Sequence, residues 1–147
     1  MLSQNFGSGL ETVSEEDVGN LQVEVILSLT TIYEIISKMR KEEIIQILKS
    51  YVKEEHIINK IEENVSLVEL TAFLLWLDTI LESLNIYIAD VFPFPDVETG
   101  EILFIGVELK ECNNRDAWSA LSRFIKGEMR KEGFKDLAGE IGLICHQ

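Results

Sequence analysis

Basic residues, cysteine, histidine and proline are scarce in this chain, and each shortage excludes something. Over 147 residues, 13 Lys and Arg stand against 26 Asp and Glu, a formal charge of −13. Coating nucleic acid or an anionic membrane needs a basic footprint that this composition lacks. Two cysteines are too few for a disulfide framework, and with two histidines they leave little for a zinc site. The N-terminal MLSQNFGSGLET has neither the basic nor the apolar stretch of a secretory signal. The longest apolar stretch, Val65 to Leu84, reaches the length of a membrane span but carries Glu69, Asp78 and Glu82. Each of those would cost roughly 2.5 kcal/mol or more in a bilayer, so a buried helix is the expectation. A cytoplasmic protein follows, with Cys112 and Cys145 as thiols. Abundant Ile and Glu beside only two prolines also lean toward a thermophile-like composition.

What is present is a core. At 46% apolar residues, the chain suits one compact domain and is too short for two. Met1 to Val13 lacks periodicity and reads as a flexible arm, leaving 14–147 as a single domain. Ser14-Glu15-Glu16-Asp17 reads as a helix start. Val18, Leu21, Val25, Leu29, Ile32, Ile36 and Met39 then follow at spacings of three and four, one stripe of a long amphipathic helix. A second helix opens near Lys41 with Ile44, Ile45, Leu48, Tyr51 and Val52 inward, and a short third covers Glu55 to Glu63. Ser66-Leu67-Val68-Glu69 is a capping-box pattern that starts a fourth, apolar nearly all round.

After Asn85 the period changes. Ile86 to Phe94 and Ile102 to Lys110 read as strands joined by Asp96-Val97-Glu98-Thr99-Gly100, with Gly100 at positive φ. Pro93 and Pro95 place the first strand at an edge or cost it its ladder near the turn. Asp116 to Lys131 is helical, with Trp118, Leu121, Ile125 and Met129 on one face, and Gly133 ends it. The tail from Gly139 to Cys145 is read as a strand, because its two glycines spoil a helix. The order of elements gives an α+β fold: about four helices over 14–85 forming a layer on a ββαβ unit at 86–147.

Pairing Pro95 with Glu101 sets the hairpin register. Tyr87, Ala89, Val91 and Pro93 then share an apolar face with Leu103, Ile105, Val107 and Leu109. Ile86, Ile88, Asp90, Phe92 and Phe94 share the other with Ile102, Phe104, Gly106, Glu108 and Lys110. Asp90 falls opposite Gly106, with Glu108 its diagonal neighbour. Phe92, Phe94 and Phe104 make the second face apolar too, so it needs either a cover from the N-terminal arm or a helix of the same chain, or a protein partner, most simply a second copy in a symmetric dimer.

Pro95-Asp96 followed by Glu108-Leu109-Lys110 resembles the literal signature of the PD-(D/E)xK nuclease superfamily. The resemblance implies Mg²⁺ held by an aspartate and Glu108, with Lys110 as the catalytic lysine beside the attacking water. Asp96 lies in the turn, some ~23 Å along the strands from the level of Glu108 at 3.3 Å per residue. Asp90 is therefore the aspartate that the resemblance would select as metal ligand. The additional strand that the family places before that aspartate has no counterpart in the pattern.

Arg115, Arg123, Lys126 and Arg130 fall within about an 80° arc of the last long helix at 100° per residue. This arc is a candidate contact for phosphate or for an acidic partner. His56 sits among carboxylates and reads as a surface residue. Cys145 and His146 are neighbours on a strand and point to opposite faces, so they form no nucleophile–base pair. Gly7-Ser8-Gly9 precedes no strand–helix unit, and Glu54, Glu55, Glu62 and Glu63 give a would-be recognition helix the wrong sign for DNA. The expectation is a non-enzymatic protein-binding or self-assembling module without a cofactor. Its contact residues would be Phe92, Phe94, Phe104, Arg115, Arg123, Lys126 and Arg130, and the Mg²⁺-dependent nuclease or phosphoesterase is the alternative. The acid is concentrated in Met1–Asn85, with 6 basic against 15 acidic residues, so Ile86–Gln147 is the half to examine.

Overall fold

The structure, a computed structural model, describes residues 27–112 and 114–146. The expected arm at 1–13, the helix start at Ser14 and the stripe residues Val18, Leu21 and Val25 lie outside them. The elements are α1 (Leu29–Ser37), α2 (Lys41–Leu48), a 3₁₀ turn (Glu55–Ile57), α3 (Ile58–Glu62) and α4 (Leu67–Glu82). Then come β1 (Tyr87–Pro95), β2 (Ile102–Lys110), α5 (Arg115–Lys131), α6 (Lys135–Glu140) and β3 (Ile141–Cys145). The fold is α+β, and the described residues form one three-stranded sheet in the order β1-β2-β3, the first pair antiparallel and the second parallel.

The expected long first helix does not run unbroken to Met39. Ser28 is extended, and its side chain accepts a hydrogen bond from the Thr31 N–H, so a helix starts at Leu29. A second acceptor comes from far along the chain: the Glu132 carboxylate takes the N–H groups of Leu29 and Thr30 at 3.1 and 2.8 Å. An anion at a helix N-terminus satisfies free donors and complements the dipole. That contact ties α1 to the residue that follows α5. In α2, Glu43 accepts from the Arg40 N–H at 2.9 Å, and in α4 the Ser66 hydroxyl accepts from the Glu69 N–H.

Helix α4 is central. Leu67, Leu70, Phe73, Leu74, Trp76, Leu77, Ile80 and Leu81 are all buried, in one cluster with Leu29, Ile32 and Ile36 of α1 and Ile44 and Leu48 of α2. The same cluster takes Val91, Ile105, Val107 and Leu109 from one face of the sheet and Ala117, Leu121, Ile125 and Met129 from α5. Tyr51, after α2, donates to Asp78 of α4 at 3.2 Å; burial above all, then the adjacent carboxylate, raises its phenol above the ordinary range. Among the described residues no single helix is long and apolar enough to cross a membrane. The two segments that together have the length, Glu55–Glu62 and Leu67–Glu82, are bent by 118°.

The hairpin register departs from expectation, yet the two faces largely survive. The loop closes one residue earlier, with the Asp96 N–H on the Glu101 carbonyl at 2.7 Å. Pro95 pairs with Ile102, and a bulge at Leu103 follows, so Phe94 faces Phe104 and Val91 faces Val107. Two offsets of one residue add to two, and a shift of two keeps each side chain on its face. A second bulge, at Ala89, undoes this at the start of β1. It turns Ile88 inward opposite Leu109 and Tyr87 outward opposite Lys110, reversing the expected sides; Tyr87 is accordingly exposed. Leu103, expected in the apolar layer, is exposed as well. Gly100 has the expected positive φ of 78°.

Toward the C-terminus, Lys135–Glu140 is a helix that includes Gly139, and the strand begins only at Ile141. Cys112 and Cys145 are joined in a disulfide, contrary to the expected thiols. The parallel pairing explains it: Cys145 is the partner of Leu109, which brings it beside the chain just leaving β2, with the two Cα atoms 6.0 Å apart.

Candidate functional site: the outer face of the sheet

The sheet has two apolar faces but only one is in the core. Val91, Ile105, Val107 and Leu109 on the inner face are wholly buried. On the outer face Phe92, Phe104 and Ile144 stay partly exposed, Phe94 is 40% exposed, and among the described residues none of the four packs against the core cluster. The three phenylalanines expected to form a contact surface are brought together. Phe94 stacks on Phe104 with ring centroids 4.7 Å apart and planes 12° from parallel, and Phe92 lies 6.4 Å from Phe94.

Glycine lets these rings lie flat. Gly106 and Gly142 are neighbours in register on β2 and β3. A Cβ on Gly106 would come within 3.1 Å of the Phe92 ring and of Ile144 Cδ1, and one on Gly142 would overlap the Phe104 ring. Rings that cover strand glycines recover apolar contact the missing side chains would have made. The result is a smooth aromatic plateau, uncharged in a molecule of charge −13.

At the other end of this face the side chains are polar. Asp90 stands directly opposite Glu108 rather than opposite Gly106, and Lys110 is the next outward residue of β2. The two carboxylates are engaged separately. Asp90 Oδ1 accepts from the N–H groups of Lys53 at 3.2 Å and Val91 at 2.8 Å, which docks the segment after α2 onto β1. Glu108 Oε2 is 2.8 Å from Nδ1 of His146, and the His146 N–H donates to the Leu109 carbonyl at 2.9 Å. His146 escaped the reading of the sequence as a neighbour of Glu108, because only the parallel β2–β3 pairing places them together. Among the described residues no three His, Cys, Asp or Glu side chains gather closely enough to hold a metal ion. Asp96 is a turn residue: its carboxylate accepts from the N–H groups of Glu98 and Thr99, which hold it below the usual carboxylate range.

Comparison with protein-family models, with curated proteins and with solved structures finds no match for this chain. Its surfaces must therefore be read from their own chemistry.

The basic arc on α5 divides. Arg115, Arg123 and Arg130 are exposed, and among the described residues none has a carboxylate within ion-pair distance. Lys126 is spent internally: its ammonium donates to the carbonyls of Ala138 and Ile141 and so ties α5 to the α6–β3 junction. Burial, and after it the charge of Arg130, lowers its pKa from the ordinary lysine value. Its ammonium is thus engaged within the fold, unlike the three arginines with which it shares the arc.

One feature escaped the sequence altogether. A cleft of about 750 Å³ is lined by Glu62, Glu63, Glu69, Asp136 and Glu140, with Lys41 paired to Glu62 at 2.9 Å. These carboxylates come from three separate stretches, so no local charge run betrays them. Partial burial, then the charges of Glu69 and Asp136, raises the Glu140 pKa.

Proposed function

We propose that this protein is a non-enzymatic binding module that self-associates through the aromatic plateau of its sheet. The observation that carries the reading is an uncharged surface of Phe92, Phe94, Phe104 and Ile144 that the core formed by the described residues leaves uncovered. An apolar surface of this kind gains free energy when water leaves it, by about 25 cal/mol per Å². Flat and lacking charge, it can meet its own copy across a two-fold axis despite the excess of acid elsewhere. Arg115, Arg123 and Arg130 form a second contact, and the acidic helical half of another copy offers the complementary charge. In this reading the helices serve as a layer that holds the ββαβ unit rigid, and the protein works in the cytoplasm without a cofactor. Sedimentation of the wild type and of Phe94→Asp tests it: the variant keeps the fold and loses the association.

A second reading, the Mg²⁺-dependent phosphoesterase, has one observation in its favour, the direct opposition of Asp90 and Glu108 with Lys110 nearby. Such a pair suits a hard cation held by one or two carboxylates. It would first have to give up the bonds to Lys53, Val91 and His146, which is why binding is preferred. Stabilisation by Mg²⁺ that disappears in Glu108→Ala would reverse that preference.

A further inference from the structure

The strand that forms the floor of the plateau is short, lies at an edge and is pinned at both ends. β3 has five residues and, among the described residues, one neighbour, β2. At its start, Lys126 holds the Ile141 carbonyl. At its end, the bond between Cys112 and Cys145 ties it to the chain leaving β2. Gly142, beneath the Phe104 ring, and Ile144, against Gly106 and near Phe92, lie between these two pins.

We propose that the Cys112–Cys145 disulfide is a redox latch: closed, it holds β3 in place as the floor of the aromatic plateau; opened by a dithiol reductant, it loosens that floor and weakens the contact surface. The part concerning association rests on the self-association reading above; the part concerning the strand does not. Cys145 is partly exposed while Cys112 is buried, so the incoming thiolate attacks Sγ of Cys145. A new S–S bond forms there as the Cys145–Cys112 bond breaks, and the electron pair leaves on Sγ of Cys112, which takes up a proton. The second thiolate of the reductant then attacks its own bonded sulfur and releases Cys145, which is protonated in turn. The protein cystine is reduced to two thiols and the dithiol is oxidised to a disulfide.

The open state is not penalised by stranded polar groups. In the closed form the Leu109 carbonyl lies 3.5 Å from Sγ of Cys112 and the Cys112 carbonyl 2.8 Å from Sγ of Cys145, so a backbone acceptor is close to each sulfur when the two part to non-bonded distance. What the open state loses is the cross-link that closes the excursion through α5 and α6, a separation of 33 residues. The end of β3 then keeps its ladder pairing with Glu108 and Leu109, the packing of Leu143 and Cys145 on the core, and two hydrogen bonds made by His146 near the surface. Edge segments held by few exposed hydrogen bonds are the first to open locally. In a cytosol, where disulfides are rare and mostly transient, a bridge in this position would be subject to such control.

Hydrogen exchange of the intact protein, with and without a dithiol reductant, tests the latch, and sedimentation of the same samples tests its consequence. Reduction is expected to speed exchange of residues 143–146 by about tenfold or more while amides of α4 keep their protection. Self-association should weaken by about tenfold or more at the same time. Cys145→Ser should match the reduced wild type in both measurements. Unchanged exchange of β3 on complete reduction overturns the proposal, and so does uniform loss of protection, which would make the bridge a global staple. If β3 loosens as expected but neither form self-associates, the latch stands and the self-association reading falls.

Discussion

The Phe104 ring lies across the backbone of Gly142 so closely that a methyl group on that glycine would occupy the space of the ring. Two strands thus meet through a side chain on one and a missing side chain on the other. Gly142→Ala should displace Phe104, unstack it from Phe94 and cost about 1–3 kcal/mol, the usual range for overpacking a well-packed site. Gly106→Ala should cost less, because its nearest neighbours are the far ends of Phe92 and Ile144, 3.1 Å away and able to yield. Urea denaturation of both variants checks the order.

Lys126 should prove more important to stability than any arginine of its arc. Its ammonium serves the carbonyls of Ala138 and Ile141 where α6 gives way to β3. Lys126→Met leaves those acceptors unserved and should cost about 1–3 kcal/mol. Arg115→Met and Arg130→Met, on exposed side chains, should stay within about 0.5 kcal/mol. Thermal melts of the three variants separate the roles.

Glu140 is an acid whose pKa is raised in the folded protein by partial burial and by Glu69 and Asp136. Its ionised form is therefore a cost to the fold at neutral pH. That cost vanishes as pH falls through the raised folded value and toward the unfolded one. Glu140→Gln should raise stability at pH 7 by about 0.3 kcal/mol, a small figure because solvent screens the site. The gain over wild type should disappear below about pH 4, where the unfolded carboxylate is itself protonated. Melting temperatures across that range give the sign directly.

The hairpin, the central helix and the phenylalanine cluster were legible in the sequence for physical reasons. Alternation survives any even register error, so Val91, Ile105 and Val107 were placed inward and Phe92, Phe94 and Phe104 outward despite the wrong pairing. The bulge at Ala89 was not legible: nothing in Ile88-Ala89-Asp90 demands an extra residue, and with it went the orientation of Tyr87 and Ile88. The Cys112–Cys145 bridge, the Glu108–His146 contact and the acidic cleft share one cause of invisibility. Each depends on which segments the topology makes neighbours, above all on β3 running parallel to β2. Lys126 shows the same limit at smaller scale, since helical period located it on α5 but not the carbonyls it serves.

Divalent cations give a direct check on the alternative chemistry of the polar end. With Asp90 serving Lys53 and Val91, and Glu108 serving His146, Mg²⁺ or Mn²⁺ should leave the melting temperature unchanged. A rise that saturates with cation and is lost in Glu108→Ala would show binding by linkage and favour the phosphoesterase.

The most direct measurement is sedimentation equilibrium of the oxidised wild type beside Phe94→Asp, over roughly 1–100 μM, where weak specific dimers become populated. Association of the wild type into a dimer, abolished in a Phe94→Asp protein with an unchanged circular dichroism spectrum, is the predicted result. A wild type that stays monomeric throughout, or a Phe94→Asp protein that associates as well as the wild type, would contradict the account.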